Sequence, residues 1–251
     1  MAEPRATAAR RATAGRDLPD HRPVHAKDAA LVQRMFDRVA PRYDLANTVF
    51  SLGLDRHWRA VTSAALGAAP GMLVIDVAGG TGALAALLAA RGARVVVADL
   101  SYEMVRVGTG RVRSGVAWTV ADALRLPLAD ASVDAVTIAF GLRNLNDTGA
   151  GLAEFRRVVR PGGQLAVLEF SRPVQPLGAA LYRRVVLGAL PQAARLFTSD
   201  PAAYGYLARS IAAWPDQPRL ARVIAAAGWH DVRWKSLSGG IVALHHAVRP
   251  T

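Results

Sequence analysis

From Asp28 onward the apolar positions of the chain keep two alternating periods. Leu31, Val32, Met35, Phe36 and Val39 recur at helical spacing until Pro41 interrupts them, and a second helix is predicted over Asp55–Leu66. Short apolar runs then predict strands over 72–77, 94–99, 116–120, 133–139 and 163–170. Helix-period stretches at 82–91, 102–111 and 147–159 fall between them. Such alternation predicts an α/β fold, a parallel sheet with helices on both faces. "VVRPGGQLAVLEF" reads as a helix end, a Pro-Gly-Gly turn and a buried strand. Residues 176–227 read as mainly helical, and "WHDVRWKSLSGGIVALHHAV" as a terminal hairpin. No internal repeat is present.

Residues 1–27 break this patterning. They hold almost no large apolar side chains, so they cannot bury enough surface to order themselves and read as a disordered basic tail. Acidic residues and prolines, with no amphipathic face, set the tail apart from a transit peptide, and it lacks a signal peptide's apolar stretch. Elsewhere Arg or Gly interrupts every apolar run before it reaches the roughly 18 residues of a membrane span. Cysteine is absent, which excludes thiol nucleophiles, Cys-based metal sites and disulfides, and favours a cytoplasmic setting. The formal charge is +12, from 31 basic and 19 acidic residues. That balance suits nucleic acid or an anionic membrane surface, though an Ala- and Arg-rich composition produces it without any special partner.

The chemistry concentrates in "VIDVAGGTGALAALLAARGARVVVADLS", residues 74–101, a strand, a Gly-rich turn, a helix and a second strand. Gly79, Gly80, Thr81 and Gly82 form the turn, and "GTGALA" satisfies the dinucleotide fingerprint with Ala in its last place. Asp76 argues against a dinucleotide, because a carboxylate beside the turn would repel a pyrophosphate seated at the helix N-terminus. S-adenosylmethionine (AdoMet) has no phosphate and presents a cationic ammonium and sulfonium. A solvated turn acid is the structural alternative for Asp76. Asp99 stands where ribose hydroxyls are bound, a feature NAD enzymes share, and Asp122 in "ADAL" stands beside the adenine. No Gly-Lys-Ser/Thr follows the glycines, so there is no P-loop. AdoMet fits best, and no metal is expected.

Six segments carry a resemblance from Ala29 to His245: "MFDRVAPRYDLANTVFSLGLDRHWR", "DVAGGTGAL", "TIAFGLRNLND", "RPGGQLAVLEFSRP", "YGYLARSIAAWPDQPRL" and "LSGGIVALH". Together they resemble the C-methyltransferases of menaquinone and ubiquinone biosynthesis. The resemblance implies a class I AdoMet-dependent methyltransferase, Rossmann-like, with a mainly parallel seven-stranded sheet and a C-terminal antiparallel hairpin. It implies a single domain over 28–251, with N-terminal helices at 28–70, an AdoMet-binding core at 71–170, a helical cap at 171–227 and the hairpin at 228–251. Leu100, Met104, Ala123 and Ala139 join the turn residues as expected cofactor contacts. The implied reaction is methyl transfer to a ring carbon of a prenylated demethylmenaquinol, giving menaquinol and S-adenosylhomocysteine. Two positions depart from the family pattern: Ala83, where Asp is common, and Ala139, where Ser often stands.

Carbon methylation of a hydroquinone needs an ionised ring hydroxyl. Arg143 in "GLRN" lies past a strand's C-terminal end, where such sheets place ligands, and its charge would favour a phenolate. Its structural alternative is an ion pair with Asp147 or Glu169. Asn144 could hydrogen-bond a ring oxygen or serve the turn, and His245 is a candidate base or a structural histidine. Tyr43 and Tyr206 are candidates to line the ring pocket or pack the core. Residues 176–197, with Arg183, Arg184 and Arg195, suit a cap over the prenyl tail or a helix at a bilayer surface. Peripheral contact with the inner face of the cell membrane is the matching expectation, no nucleic-acid partner is expected, and a homodimer stays open. The competing readings are a nucleic-acid methyltransferase, a non-catalytic AdoMet-fold subunit, and a C- or O-methyltransferase of a soluble phenol or polyketide.

Overall fold

The computed structural model describes residues 51–112, 114–173 and 201–251, with positions 33, 34, 36–38, 40, 44, 47 and 48 ahead of them. The expected tail at 1–27, Tyr43 and the expected cap segment at 176–197 lie outside the described residues. Of the expected first helix, positions 33, 34 and 36–38 are described, and they are helical.

Helix α1, Leu54–Leu66, is bounded by two left-handed glycines, Gly53 at φ 78° and Gly67 at φ 66°. Strand β1 (Leu73–Val77) leads to α2 (Ala83–Ala89), β2 (Arg94–Asp99), α3 (Tyr102–Arg111) and β3 (Val116–Val120). Strand β4 (Val133–Ala139) follows, then a 3-10 turn at Leu142–Asn144, α4 (Thr148–Val158) and β5 (Val159–Phe170). Helices α5 (Pro201–Ala213) and α6 (Gln217–Ala226) precede β6 (His230–Leu237) and β7 (Val242–Val248). Side chains set the starts of three helices: Ser101, Asp147 and Asp216 accept from the N–H of Met104, Ala150 and Arg219. Each such cap is worth about 1 kcal/mol.

The sheet order is β3-β2-β1-β4-β5-β7-β6. The first five strands are parallel, and β7 pairs antiparallel with both β5 and β6. From β1 the chain winds outward one way through β2 and β3, then the other way from β4. That reversal opens a crevice at the C-terminal ends of β1 and β4, where open α/β sheets bind ligands. Strand alternation divides the core. Ile75, Val77, Val136, Ile138, Phe155 and Trp229 pack on one face; Val74, Leu84, Leu88, Val95 and Val97 pack with Trp58 on the other. Asp76 shares its face with Val74, the side that α1 and α2 cover.

One local expectation needs correction. The Pro-Gly-Gly segment does not separate α4 from a strand beginning at 163. β5 already pairs at Val159 with Val133, and pairing resumes with Gln164 against Ala135. Residues 160–163 form a bulge between those pairs. A Cβ on Gly163 would stand 2.6 Å from the Asp134 carbonyl oxygen, so the bulge can close only on glycine. The predicted hairpin is β6 and β7, joined through a 3-10 turn at Ser238–Gly240. Among the described residues no helix is long and apolar enough to cross a membrane.

Phe155 is fully buried between α4 and the sheet. Phe155→Ala should cost about 3–5 kcal/mol, the range for emptying a buried aromatic site. Urea unfolding checks this, and a loss under about 1 kcal/mol would contradict the packing described.

Candidate active site

The glycine turn is built around the Asp76 carboxylate. Asp76 is only 1% exposed and sits opposite Thr137 in the β1–β4 register. The Thr137 hydroxyl donates to its Oδ1 at 2.7 Å, while Oδ2 is buried with no hydrogen-bond partner among the described residues. Burial pushes its pKa up from 3.8 to about 7, against the opposing pull of the Thr137 hydroxyl and the Arg59 charge. A Cβ on Gly79 would meet Oδ2 at 2.9 Å, so only glycine lets the chain bend over the carboxylate. Ala78 and Phe140, just past the ends of β1 and β4, both take left-handed backbone, at φ 49° and 60°. Strain of this kind concentrates at binding sites.

Beyond the turn lies a cavity. Asp76, Gly79, Gly80 and Thr81 line it, as do Asp99, Leu100, Met104, Asp122 and Ala123 from the β2 and β3 side. Ala139, Phe140 and Asn144 close the β4 side, and Ala83 lines it at the start of α2. Gly82 does not line it. Gly82 stands at φ 80°, and a Cβ there would stand 2.6 Å from the Trp118 ring, so its place is in the turn itself. Both Asp99 oxygens are held by backbone, Oδ2 by Gly80 N–H and Oδ1 by Ser101 N–H, each at 2.8 Å. Burial raises its pKa, and each oxygen keeps a further lone pair for a hydroxyl. Asp122 caps its own turn by accepting from Leu124 N–H.

Phosphate finds little welcome here. The Gly80 N–H is taken by Asp99, and the N–H groups of Gly79 and Gly82 go to the carbonyls of Ala98 and Gly79. Among the described residues four carboxylates line the cavity: Asp44, Asp76, Asp99 and Asp122. A cation that offers one group to Asp76 Oδ2 fits this wall, as does a ribose beside Asp99. These donors and acceptors match AdoMet. Among the described residues no cluster of His, Asp or Glu is placed to hold a metal.

Several lining residues escaped the sequence. Gln33, Phe36 and Asp44 reach the cavity from the N-terminal segment. Asp44 accepts from the Thr81 hydroxyl at 2.7 Å and pairs with Arg111. Arg59 enters from α1. Its inward orientation shows only in the fold, where Asp55, Trp58, Arg59, Thr62, Ser63 and Leu66 form one buried stripe and a charged pair lies on the inward face.

The three expected catalytic residues part company. Asn144 lines the cavity, and its Oδ1 accepts from the Tyr206 hydroxyl at 3.2 Å. Arg143 lies behind it, 4% exposed, its Nη1 donating to Glu169 at 2.8 Å and to the Phe140 carbonyl. Its guanidinium carbon is 5.2 Å from the centroid of the Phe170 ring. Burial raises the Tyr206 pKa while the nearby Arg143 charge works against that rise. The structure does not bring His245 to the cavity. It sits in β7, its Nε2–H donating to the Gln217 carbonyl at 3.0 Å, and burial lowers its pKa.

The model of the ubiE/COQ5 methyltransferase family matches residues 24–249. A demethylmenaquinone methyltransferase from Mycobacterium sp. (strain KMS) is 57% identical over 219 residues, 87% of this chain and 94% of that protein. One from Thermobifida fusca is 52% identical, covering 89% of this chain and 96% of that protein. Among solved structures, the [4+2]-cyclase SpnF aligns with a TM-score of 0.67 at 16% identity, over 90% of this chain and 97% of that one. A methyltransferase bound to the Haloferax volcanii Trm112 activator gives 0.62 at 20% identity, over 86% and 98%. These two likenesses show the fold.

The raised pKa of Asp76 dictates a pH dependence. Below about 7 the ligand-free protein holds a proton on Asp76 that a bound cation must expel. The AdoMet dissociation constant should fall about tenfold per pH unit as pH rises from 5.5 to 7, then level off. Asp76→Asn should flatten that profile, checked by titration calorimetry. By the same linkage the folded state holds this proton more tightly than the unfolded chain. The stability this group lends the ligand-free protein is therefore full below about 3.8 and lost as pH rises through 7.

Proposed function

Because the chain belongs to the ubiE/COQ5 methyltransferase family, we propose that it methylates a ring carbon of a demethylmenaquinol, with AdoMet as donor. The products are a menaquinol, S-adenosylhomocysteine and a proton, the ring hydrogen that the methyl group replaces. The observation that carries the reading is Asp76: a buried carboxylate with one unpartnered oxygen, in a cavity walled by acids.

AdoMet supplies an electrophilic methyl group when bound. Asp76 takes its cationic end, Asp99 the ribose hydroxyls, and Asp122 stands at the adenine. The quinol ring lies against Asn144 and Tyr206. Asn144 uses its carbonyl oxygen on Tyr206, which leaves its amide N–H groups for a ring oxygen. Arg143 serves through the positive charge of its guanidinium and not as a base. From behind Asn144 its charge favours the phenolate that makes the ring carbon nucleophilic, and Glu169, Phe170 and the Phe140 carbonyl fix its plane. His245 has a structural part, tying β7 to the start of α6. Contact of this basic chain with an anionic bilayer, where a prenylated quinol resides, belongs to the same proposal.

Incubation with AdoMet and a panel of demethylquinols, read by product mass, tests the activity; no product one methylene heavier would refute it. The Arg143 role is tested by kinetics. Removing its charge alone strands Glu169 in the interior, so the neutral pair Arg143→Gln/Glu169→Gln is compared with Arg143→Lys. The neutral pair should lower kcat on the order of a hundredfold, and Arg143→Lys should lose less. AdoMet affinity should stay within about twofold. An unchanged kcat in the neutral pair would remove Arg143 from the mechanism.

A further inference from the structure

Arg59 has no part in the chemistry above, yet it occupies one wall of the cavity. It is 7% exposed and sits on the inward stripe of α1. Its Nη1 donates to Asp55 Oδ2 at 2.8 Å and to the Asp55 carbonyl at 3.4 Å. Asp55 Oδ1 in turn accepts from the Ser51 hydroxyl at 2.9 Å. The guanidinium carbon lies 5.4 Å from the centroid of the Phe140 ring, which the left-handed backbone at Phe140 holds in place. The side chain is therefore fixed at three points, and Nη2 and Nε have no hydrogen-bond partner among the described residues.

The sheet order says which part of a ligand meets it. Asp122 follows β3 and Asp99 ends β2, so the adenosine lies over that half of the crevice. Asp76 and Phe140 belong to β1 and β4, the other half, and Arg59 stands with them. The ligand's amino-acid end must therefore reach this half. That end carries an ammonium and a carboxylate. Asp76 offers an unpartnered oxygen to the cation. Asp44, Asp99 and Asp122 would all repel the anion. Among the described residues lining the cavity, Arg59 is the single basic side chain.

We infer that Arg59 forms a carboxylate subsite, binding the α-carboxylate of the AdoMet amino-acid end opposite Asp76. The inference rests on the AdoMet reading above. A planar guanidinium pairs with a carboxylate through parallel N–H donors, and a preoriented one loses little entropy in doing so. Arg59 and Asp76 then form a buried, oppositely charged template, which a zwitterionic amino-acid end complements and a 5′-alkylthioadenosine does not. Binding selectivity, more than the chemical step, is the consequence.

The test compares AdoMet, decarboxylated AdoMet and 5′-methylthioadenosine by titration calorimetry on the full chain, Arg59→Gln and Arg59→Lys. The unaltered chain should prefer AdoMet to its decarboxylated form by about ten- to a hundredfold. Arg59→Gln should bring that ratio to within about threefold by weakening AdoMet alone, and Arg59→Lys should restore part of it. A variant that folds poorly weakens all ligands alike, so the ratio separates recognition from structure. Equal weakening of AdoMet and decarboxylated AdoMet, or a preference kept in Arg59→Gln, would overturn the inference and leave the AdoMet reading standing. Failure of the unaltered chain to bind any of the three would overturn both.

Discussion

A carboxylate buried at the centre of a parallel sheet must hold its proton or meet a cation. Asp76 is in that position, on the middle strand of a crevice that the strand order opens. Thr137, directly across the register, satisfies one oxygen and leaves the other buried without a hydrogen-bond partner among the described residues. The rest of the site follows from this arrangement. Gly79 has to be glycine because the turn passes over that oxygen. Asp99 draws the loop down by its Gly80 N–H, which takes from the turn a donor that a phosphate would need. The protein thus keeps an unfavourable group ready, and ligand binding relieves it.

The same half of the crevice stores backbone strain. Ala78 and Phe140 adopt left-handed conformations that cost a side-chain-bearing residue about 1–2 kcal/mol. Phe140 is held there by packing against Trp58 and Phe170 and by its N–H bond to the Leu168 carbonyl. Its ring steers Arg59, while its carbonyl and the neighbouring Phe170 ring steer Arg143. One strained residue therefore sets the orientation of two arginines, one toward the cofactor end and one toward the ring end.

The sheet was readable because buried parallel strands leave short apolar runs such as 95–98, which follow closely on Gly92. The terminal hairpin was readable from its glycine pair at 239–240. The Pro-Gly-Gly segment misled, since a bulge and a chain reversal use the same residues and only the partner strand distinguishes them. In the site, Asp76, Asp99 and Asp122 stood out because each stands at or just past the C-terminal end of a strand, a place that sequence order reveals. Arg59 did not. Asp55 and Arg59 four residues apart look like a surface pair, and only the helix's burial, with Trp58 and Leu66 beside them, turns the pair inward. Asp44 was hidden for another reason: its contact with Thr81 spans 37 residues and depends on how the N-terminal segment lies over the turn. His245 shows the converse, a titratable residue whose partners lie in its own β7 and α6 surroundings, away from the cavity.

The central claim is that Asp76 is kept near neutrality until a cation arrives. Carbon-13 NMR of the aspartate carboxyls, assigned through Asp76→Asn, measures this directly when titrated with and without AdoMet. The account predicts an Asp76 pKa of about 7 in the ligand-free protein, falling by roughly two units or more when AdoMet is bound. An Asp76 that titrates near 4 without ligand, or whose pKa does not move on binding, would contradict it.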